Sequence, residues 1–187
     1  MTAAAAFEPA VGVLTGNWYD TVPLGEGQVG MVVIDVAGHG ATSGVLALHA
    51  KHLLLPALHQ GMEPGEALSW LAETLGAGHP PVLLHRADGM VELGPTGPLV
   101  GPVPGSWDTD GFTMAAGDLM VAYTDGVVEA RRGDGEEFGD RRLACLVAEH
   151  AAGGPQAVVH ACIDAVHAFA GATPRDDLTI VAMARLD

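Results

Sequence analysis

The sequence predicts an α+β fold of antiparallel strands and helices, on three observations. Apolar, strand-length runs recur at residues 28–34, 119–123 and 178–183. Short glycine turns at Gly25-Glu-Gly27 and Ala87-Asp88-Gly89 join neighbouring strand patterns, which favours hairpins over crossovers. Helical apolar spacing marks residues 41–55, 142–151 and 156–170. At 187 residues the expectation is a single domain, 1–187, with a sizeable core.

In chain order, Val11-Gly-Val-Leu14 is a short strand candidate, and residues 17–20 are a second. The spacing of Val22-Pro-Leu24, the glycine turn and strand 28–34 makes a hairpin that brings 17–20 beside Asp35. Residues 41–55 read as a helix with Val45, Leu48, His52 and Leu55 on the buried face, and Leu46 and Leu53 alongside. Pro56 is expected to interrupt or kink it. Pro64 sits in the first turn of a second helix that runs to Leu75. Strand 82–84, a tight turn and strand 90–93 follow. Residues 94–105 read as a surface loop, not an interdomain linker. Phe112-Thr-Met114 alternates as a strand and Ala116-Gly-Asp118 as a turn. Strand 119–123 ends in Thr124-Asp125-Gly126, and a charged loop covers 132–140. Two helices separated by Gly153-Gly-Pro155 come next, and Asp176-Asp177 leads into the last strand.

The formal charge is −15 with only 8 Lys and Arg, so the chain has no basic stripe for a nucleic-acid partner. An acidic surface suits gathering divalent cations, and equally suits plain solubility. Cys145 and Cys162 sit in helical patterns without ligand spacing, which argues against structural zinc and for a reduced, cytoplasmic setting. The first residues lack the basic start and apolar run of a signal peptide. No stretch has the apolar length of a membrane span.

The chemistry gathers on carboxylates. Met31-Val-Val-Ile-Asp35 runs a buried strand into Asp35 and then a glycine turn. Asp125 and Asp176/Asp177 repeat the arrangement at two other strand ends. Asp35 alone reads as a helix cap or turn residue as readily as a metal ligand. Three such carboxylates, far apart in sequence, suggest one shared site for hard cations such as Mg²⁺ or Mn²⁺. Two ions about 4 Å apart activate water and neutralise phosphoryl charge. No GxSxG, arginine-flanked cysteine or P-loop lysine motif offers another nucleophile. His49 and His52, three apart on a helix, fit a solvated face better than a metal pair.

Five motifs then carry a resemblance: Gly16-Asn-Trp-Tyr-Asp20, Val33-Ile-Asp-Val-Ala-Gly-His-Gly40, Ala77-Gly-His-Pro-Pro81, Tyr123-Thr-Asp-Gly126 and Asp176-Asp-Leu-Thr179. With the loop Gly135-Glu-Glu-Phe-Gly139, they stand in the order found in the SpoIIE/RsbU-type branch of the metal-dependent PPM protein phosphatases. The chain resembles that branch over nearly its whole length. The resemblance implies an αββα sandwich, in which two antiparallel sheets pack face to face with helices outside. It also implies Mn²⁺- or Mg²⁺-dependent hydrolysis of phosphoserine or phosphothreonine on a protein, usually a phosphorylated anti-anti-sigma (STAS) regulator. By resemblance Asp35 bridges two metals, the Val36 carbonyl binds the second, and Asp125 and Asp176 hold the first. Asp177 is the weaker candidate of its pair, His39 orders the turn or a water, and His79 shapes a turn.

Two departures from the family pattern stand out. Asn17 occupies a position where the family has a metal-binding aspartate. Its amide oxygen still suits Mg²⁺ or Mn²⁺, but without negative charge, so the second metal is expected to be held weakly. The alternative is a catalytically weak phosphatase-like module that regulates a partner by docking. A third idea is a hydrolase of small phosphoesters. The other departure lies at 75–78, where the family carries about two more strands. Either the sheet is repaired around a true deletion, or a stretch is missing there, which a Cα–Cα step well above ~3.8 Å would reveal.

Overall fold

Leu119–Tyr123 and Leu178–Ala184 pair antiparallel at the centre of the larger sheet, and their side chains explain why. Every residue of the second strand is buried, which suits its run of Val, Ile, Met and Ala. A computed structural model describes residues 1–10, 15–25, 28–36, 41–72, 81–97, 105–171 and 176–186. Its strands are β1 (Thr2–Glu8), β2 (Trp18–Gly25), β3 (Gln28–Ile34), β4 (Val82–Arg86), β5 (Gly89–Leu93), β6 (Leu119–Tyr123) and β7 (Leu178–Ala184). Its helices are α1 (Ala41–His59), α2 (Pro64–Ala72), α3 (Asp125–Val128), α4 (Asp140–His150) and α5 (Gly154–Ala170).

The chain divides into two compact units. One, formed by 1–11, 80–94 and 113–187, holds a five-stranded antiparallel sheet in the order β1-β7-β6-β4-β5. Its core joins Leu83, Val121, Tyr123 and Ile180 of the sheet to Leu143 and Val147 of α4 and Val158, Cys162 and Val166 of α5. Burial pushes the Cys162 thiol up to about 12, so it is an inert apolar filler there, whereas Cys145 is exposed. Burial, and then the neighbouring Asp140 carboxylate, also raise the Tyr123 phenol. Its hydroxyl donates to Asp140 Oδ1 at 3.1 Å, tying the end of β6 to the first residue of α4.

The other unit, 12–79 and 95–112, holds the β2–β3 hairpin with α1 and α2. Val22, Ile34 and Val36 meet Ala47, Ala50, Leu54, Ala57 and Leu58 of α1 and Ala67 and Leu71 of α2. Lys51 of α1 pairs with Asp20 at 3.1 Å and lies over the Trp18 ring. The Lys51 ammonium holds the Asp20 carboxyl below its ordinary range.

The α+β class with antiparallel sheets is as predicted, and three local expectations change. Pro56 does not interrupt α1, which runs on to His59. The carbonyl that loses its partner, that of His52, belongs to an exposed residue, and buried Ala57 and Leu58 hold the last turn down. The buried face of α1 is Ser43, Gly44, Ala47, Ala50, Leu54, Ala57 and Leu58, while Val45 and Leu48 are exposed. Both faces are apolar, so spacing alone could not choose between them. The small side chains mark the face that approaches its neighbours closely. Phe112-Thr-Met114 is not a strand: Arg86 Nη2 donates to the Thr113 carbonyl (2.9 Å) and Arg185 Nη1 to that of Met114 (2.6 Å). The sequence alone assigns no element to the alanine-rich start, which is strand β1, paired along its length with β7 from Thr2↔Ala184 to Glu8↔Leu178. The candidate strand 11–14, the Gly38–Gly40 turn with His39, the 75–78 junction with its two-strand question, and His79 lie outside the described residues.

Candidate metal centre

Asn17, Asp35 and Val36 stand at the open end of the β2–β3 ladder. Trp18 pairs with Ile34, and the Val36 N–H donates to the Gly16 carbonyl at 3.2 Å. The register therefore places Asn17 opposite Asp35, with both side chains on one face of the ribbon. Asn17 and Val36 are buried and Asp35 is half-buried. Gly16 is required here, because a Cβ on it would fall 2.5 Å from the Val36 carbonyl oxygen. Any side chain at this position would cover the oxygen that the family resemblance makes a ligand.

Asp125 and Asp176 lie in the other unit, just after β6 and just before β7, strands that pair with each other. Thr124 joins those ends. Its N–H donates to the Thr179 carbonyl (3.1 Å), its hydroxyl donates to the Asp177 carbonyl (3.2 Å), and the Thr179 N–H donates back to that hydroxyl (3.1 Å). Thr124 is the N-cap residue of α3, yet its fully buried hydroxyl makes no cap bond and holds β7 instead. Thr124→Val keeps the shape and removes both hydroxyl bonds. It is expected to cost about 1–3 kcal/mol in denaturant unfolding, and an unchanged midpoint would remove the clamp from the account.

Gly126 completes the junction. A Cβ there would lie 2.4 Å from the Asp177 carbonyl oxygen and 3.3 Å from Asp176 Cβ. Asp177 is already engaged, since the Ala10 N–H donates to its Oδ1 at 2.7 Å. Asp176 Oδ1 accepts the Asp177 N–H at 2.8 Å. Sequence reasoning could not find Thr124, Gly126 or the Ala10–Asp177 bond in these roles, because each depends on a partner more than 50 residues away or on close backbone contact.

Contrary to the expectation of three buried strand-end carboxylates, Asp125 and Asp176 are exposed. Asp20, the acid at the other end of the Gly16–Asp20 motif, is held by Lys51. His49 and His52 are exposed on α1.

Among the described residues no three His, Cys, Asp or Glu side chains gather as a metal-holding group. Each unit contributes fewer than three. One presents two carboxylates, Asp125 and Asp176. The other presents one carboxylate, Asp35, with the Asn17 amide and the Val36 carbonyl. All five donors are oxygens, the chemistry of hard Mg²⁺ and Mn²⁺, and the space kept by Gly16 leaves the Val36 carbonyl uncovered. By donor type the residues fit such ions. No described helix is long and apolar enough to cross a membrane.

Similarity to known proteins agrees with the motif order. IcfG of Synechocystis sp. is 41% identical over 71 residues, which are 37% of this chain and only 11% of IcfG. The SiaA-PP2C domain of Pseudomonas aeruginosa superposes with a TM-score of 0.86 at 18% identity, over 98% of this chain and 85% of that one. The RsbU and RsbW domains of Rv1364c from Mycobacterium tuberculosis give a TM-score of 0.80 at 25% identity, over 98% of this chain and 60% of that one. The model of the Stage II sporulation protein E (SpoIIE) family matches residues 69–186. With that match across more than half its length, the chain belongs to the SpoIIE family, in the SpoIIE/RsbU-type branch of the PPM phosphatases.

Proposed function

We propose that residues 1–187 act as one cytoplasmic, metal-dependent phosphoserine/phosphothreonine phosphatase domain whose substrate is a phosphorylated STAS-type regulator. The observation that carries this reading is the clamped β6–β7 junction, where Gly126, next to Asp125, lies against Asp176 and Asp177, in a chain of this family. Asp125 and Asp176 would hold one Mg²⁺ or Mn²⁺, and Asp35, the Val36 carbonyl and Asn17 would hold another. Bound in this way, the ions supply a water of lowered pKa and offset phosphoryl charge. The protein's own contribution is placement. Thr124 and Gly126 hold two carboxylates at a fixed junction, and Gly16 keeps a carbonyl uncovered. The Ala10 N–H bonds Asp177 Oδ1, which supports the reading that Asp177 is the weaker ligand candidate of the pair.

Asn17 favours a second reading, a docking module with weak catalysis, because an amide replaces a charged ligand. One experiment separates the two: phosphate release from a phosphorylated STAS protein, titrated with Mn²⁺, for the wild type and Asn17→Asp. The phosphatase reading expects release that EDTA abolishes. It also expects Asn17→Asp to reach half-maximal rate at about tenfold lower Mn²⁺, the effect of roughly 1.4 kcal/mol of added charge attraction. No release from the wild type, restored in Asn17→Asp, would select the docking reading. Release insensitive to EDTA would overturn the metal site.

A further inference from the structure

We infer that the cavity beside Asp176 is a subsite for one cationic side chain, a lysine or arginine close in sequence to the phosphorylated residue of the substrate protein. The inference rests on the phosphatase reading and adds a substrate feature to it. The cavity, of about 220 Å³, lies wholly within the unit that carries the five-stranded sheet. Glu129 and Arg131 line it from the segment after α3, Val166 and His167 from the end of α5, and Asp176 and Leu178 from the start of β7. It is smaller than the roughly 300–1,000 Å³ of ordinary small-molecule pockets, and suits a single side chain.

Charge decides which kind. Among the described residues, the Arg131 guanidinium in the wall is bound by Glu137, and His167 Nε2 lies 2.6 Å from Glu8 Oε2. Glu129 has no ion-pair partner among the described residues, and Asp176 adds a second carboxylate. The last turn of α5 also brings the negative end of a 17-residue helix to the cavity. With the Asp176 charge committed to a metal, Glu129 is still a wall carboxylate without an ion-pair partner among the described residues. Val166, Leu178 and the neighbouring alanines give it an apolar half, which matches the methylene stem of lysine or arginine. That apolar half disfavours a divalent ion, which needs several oxygen ligands. Because Asp176 is both a cavity wall and a proposed metal ligand, a cation seated here belongs to a residue next to the scissile phosphate.

The test uses paired phosphoserine peptides, identical except for arginine, alanine or glutamate at the flanking positions. With Mn²⁺ the wild type is expected to show kcat/KM about tenfold higher for the arginine peptide than for the alanine one. Glu129→Gln is expected to bring that ratio near one, and Glu129→Arg to shift preference to the glutamate peptide. A wild-type ratio of one, or a ratio unmoved in Glu129→Arg, overturns the subsite. If no peptide is hydrolysed, the phosphatase reading has failed instead, and fluorescence anisotropy with labelled peptides then reads the subsite on the same chains. Tighter binding of the arginine peptide, lost in Glu129→Arg, supports it, and equal binding overturns it.

Discussion

Asp125→Asn is expected to lower Mn²⁺-dependent phosphate release by about 10²–10³-fold, corresponding to the several kcal/mol of charge stabilisation that a bound metal contributes. The substitution preserves side-chain size and one oxygen, and removes only the charge. Asp125 is exposed at the first position of α3, so no core contact is lost. Its carboxylate does favour the helix N-terminus, an effect of about 0.3–1 kcal/mol that the melting temperature reports separately. Phosphate release at saturating Mn²⁺ and thermal melting, measured on the same samples, keep the two effects apart. Equal release by the variant would remove Asp125 from the metal centre.

Gly126→Ala is expected to lose activity by a different route. The added Cβ would stand 2.4 Å from the Asp177 carbonyl oxygen, and a backbone atom cannot turn aside as a side chain can. Either α3 or the start of β7 must shift, and those segments carry Asp125 and Asp176. Overpacking of this kind costs about 1–3 kcal/mol. For a chain of this length that is a fall of roughly 2–12 °C in melting temperature. Displacing the two carboxylates by about 1 Å is expected to cost on the order of 10² in kcat/KM. A variant that melts and turns over like the wild type would show that the β6–β7 junction tolerates slack, and the account of its rigidity would fall.

The strands with β-branched side chains were legible in the sequence because burial and local preference agree in them: β3, β6 and β7 run as expected. β1 was not legible. Alanine has little strand preference of its own, and Thr2–Glu8 becomes a strand only because β7 offers it an edge. The same limit appears in α1, where two apolar faces compete and the choice follows from how closely Ala47 and Ala50 approach their neighbours. For the candidate site, residue types and order along the chain were readable, and so was the hairpin that sets Asn17 opposite Asp35. The surroundings were not. Asp125 and Asp176 are exposed, Thr124 bonds across to β7 and not to its own helix, and Asp177 is drawn off by Ala10. These outcomes depend on contacts between segments that composition and periodicity treat separately.

The pairing of Thr2 with Ala184 has a topological consequence. The first and last strands run in opposite directions along one seam, so the two ends of the described chain leave the sheet at the same place. A force pulling Thr2 away from Ala184 would therefore load the β1–β7 hydrogen bonds one after another from that end, unzipping the seam rather than shearing it.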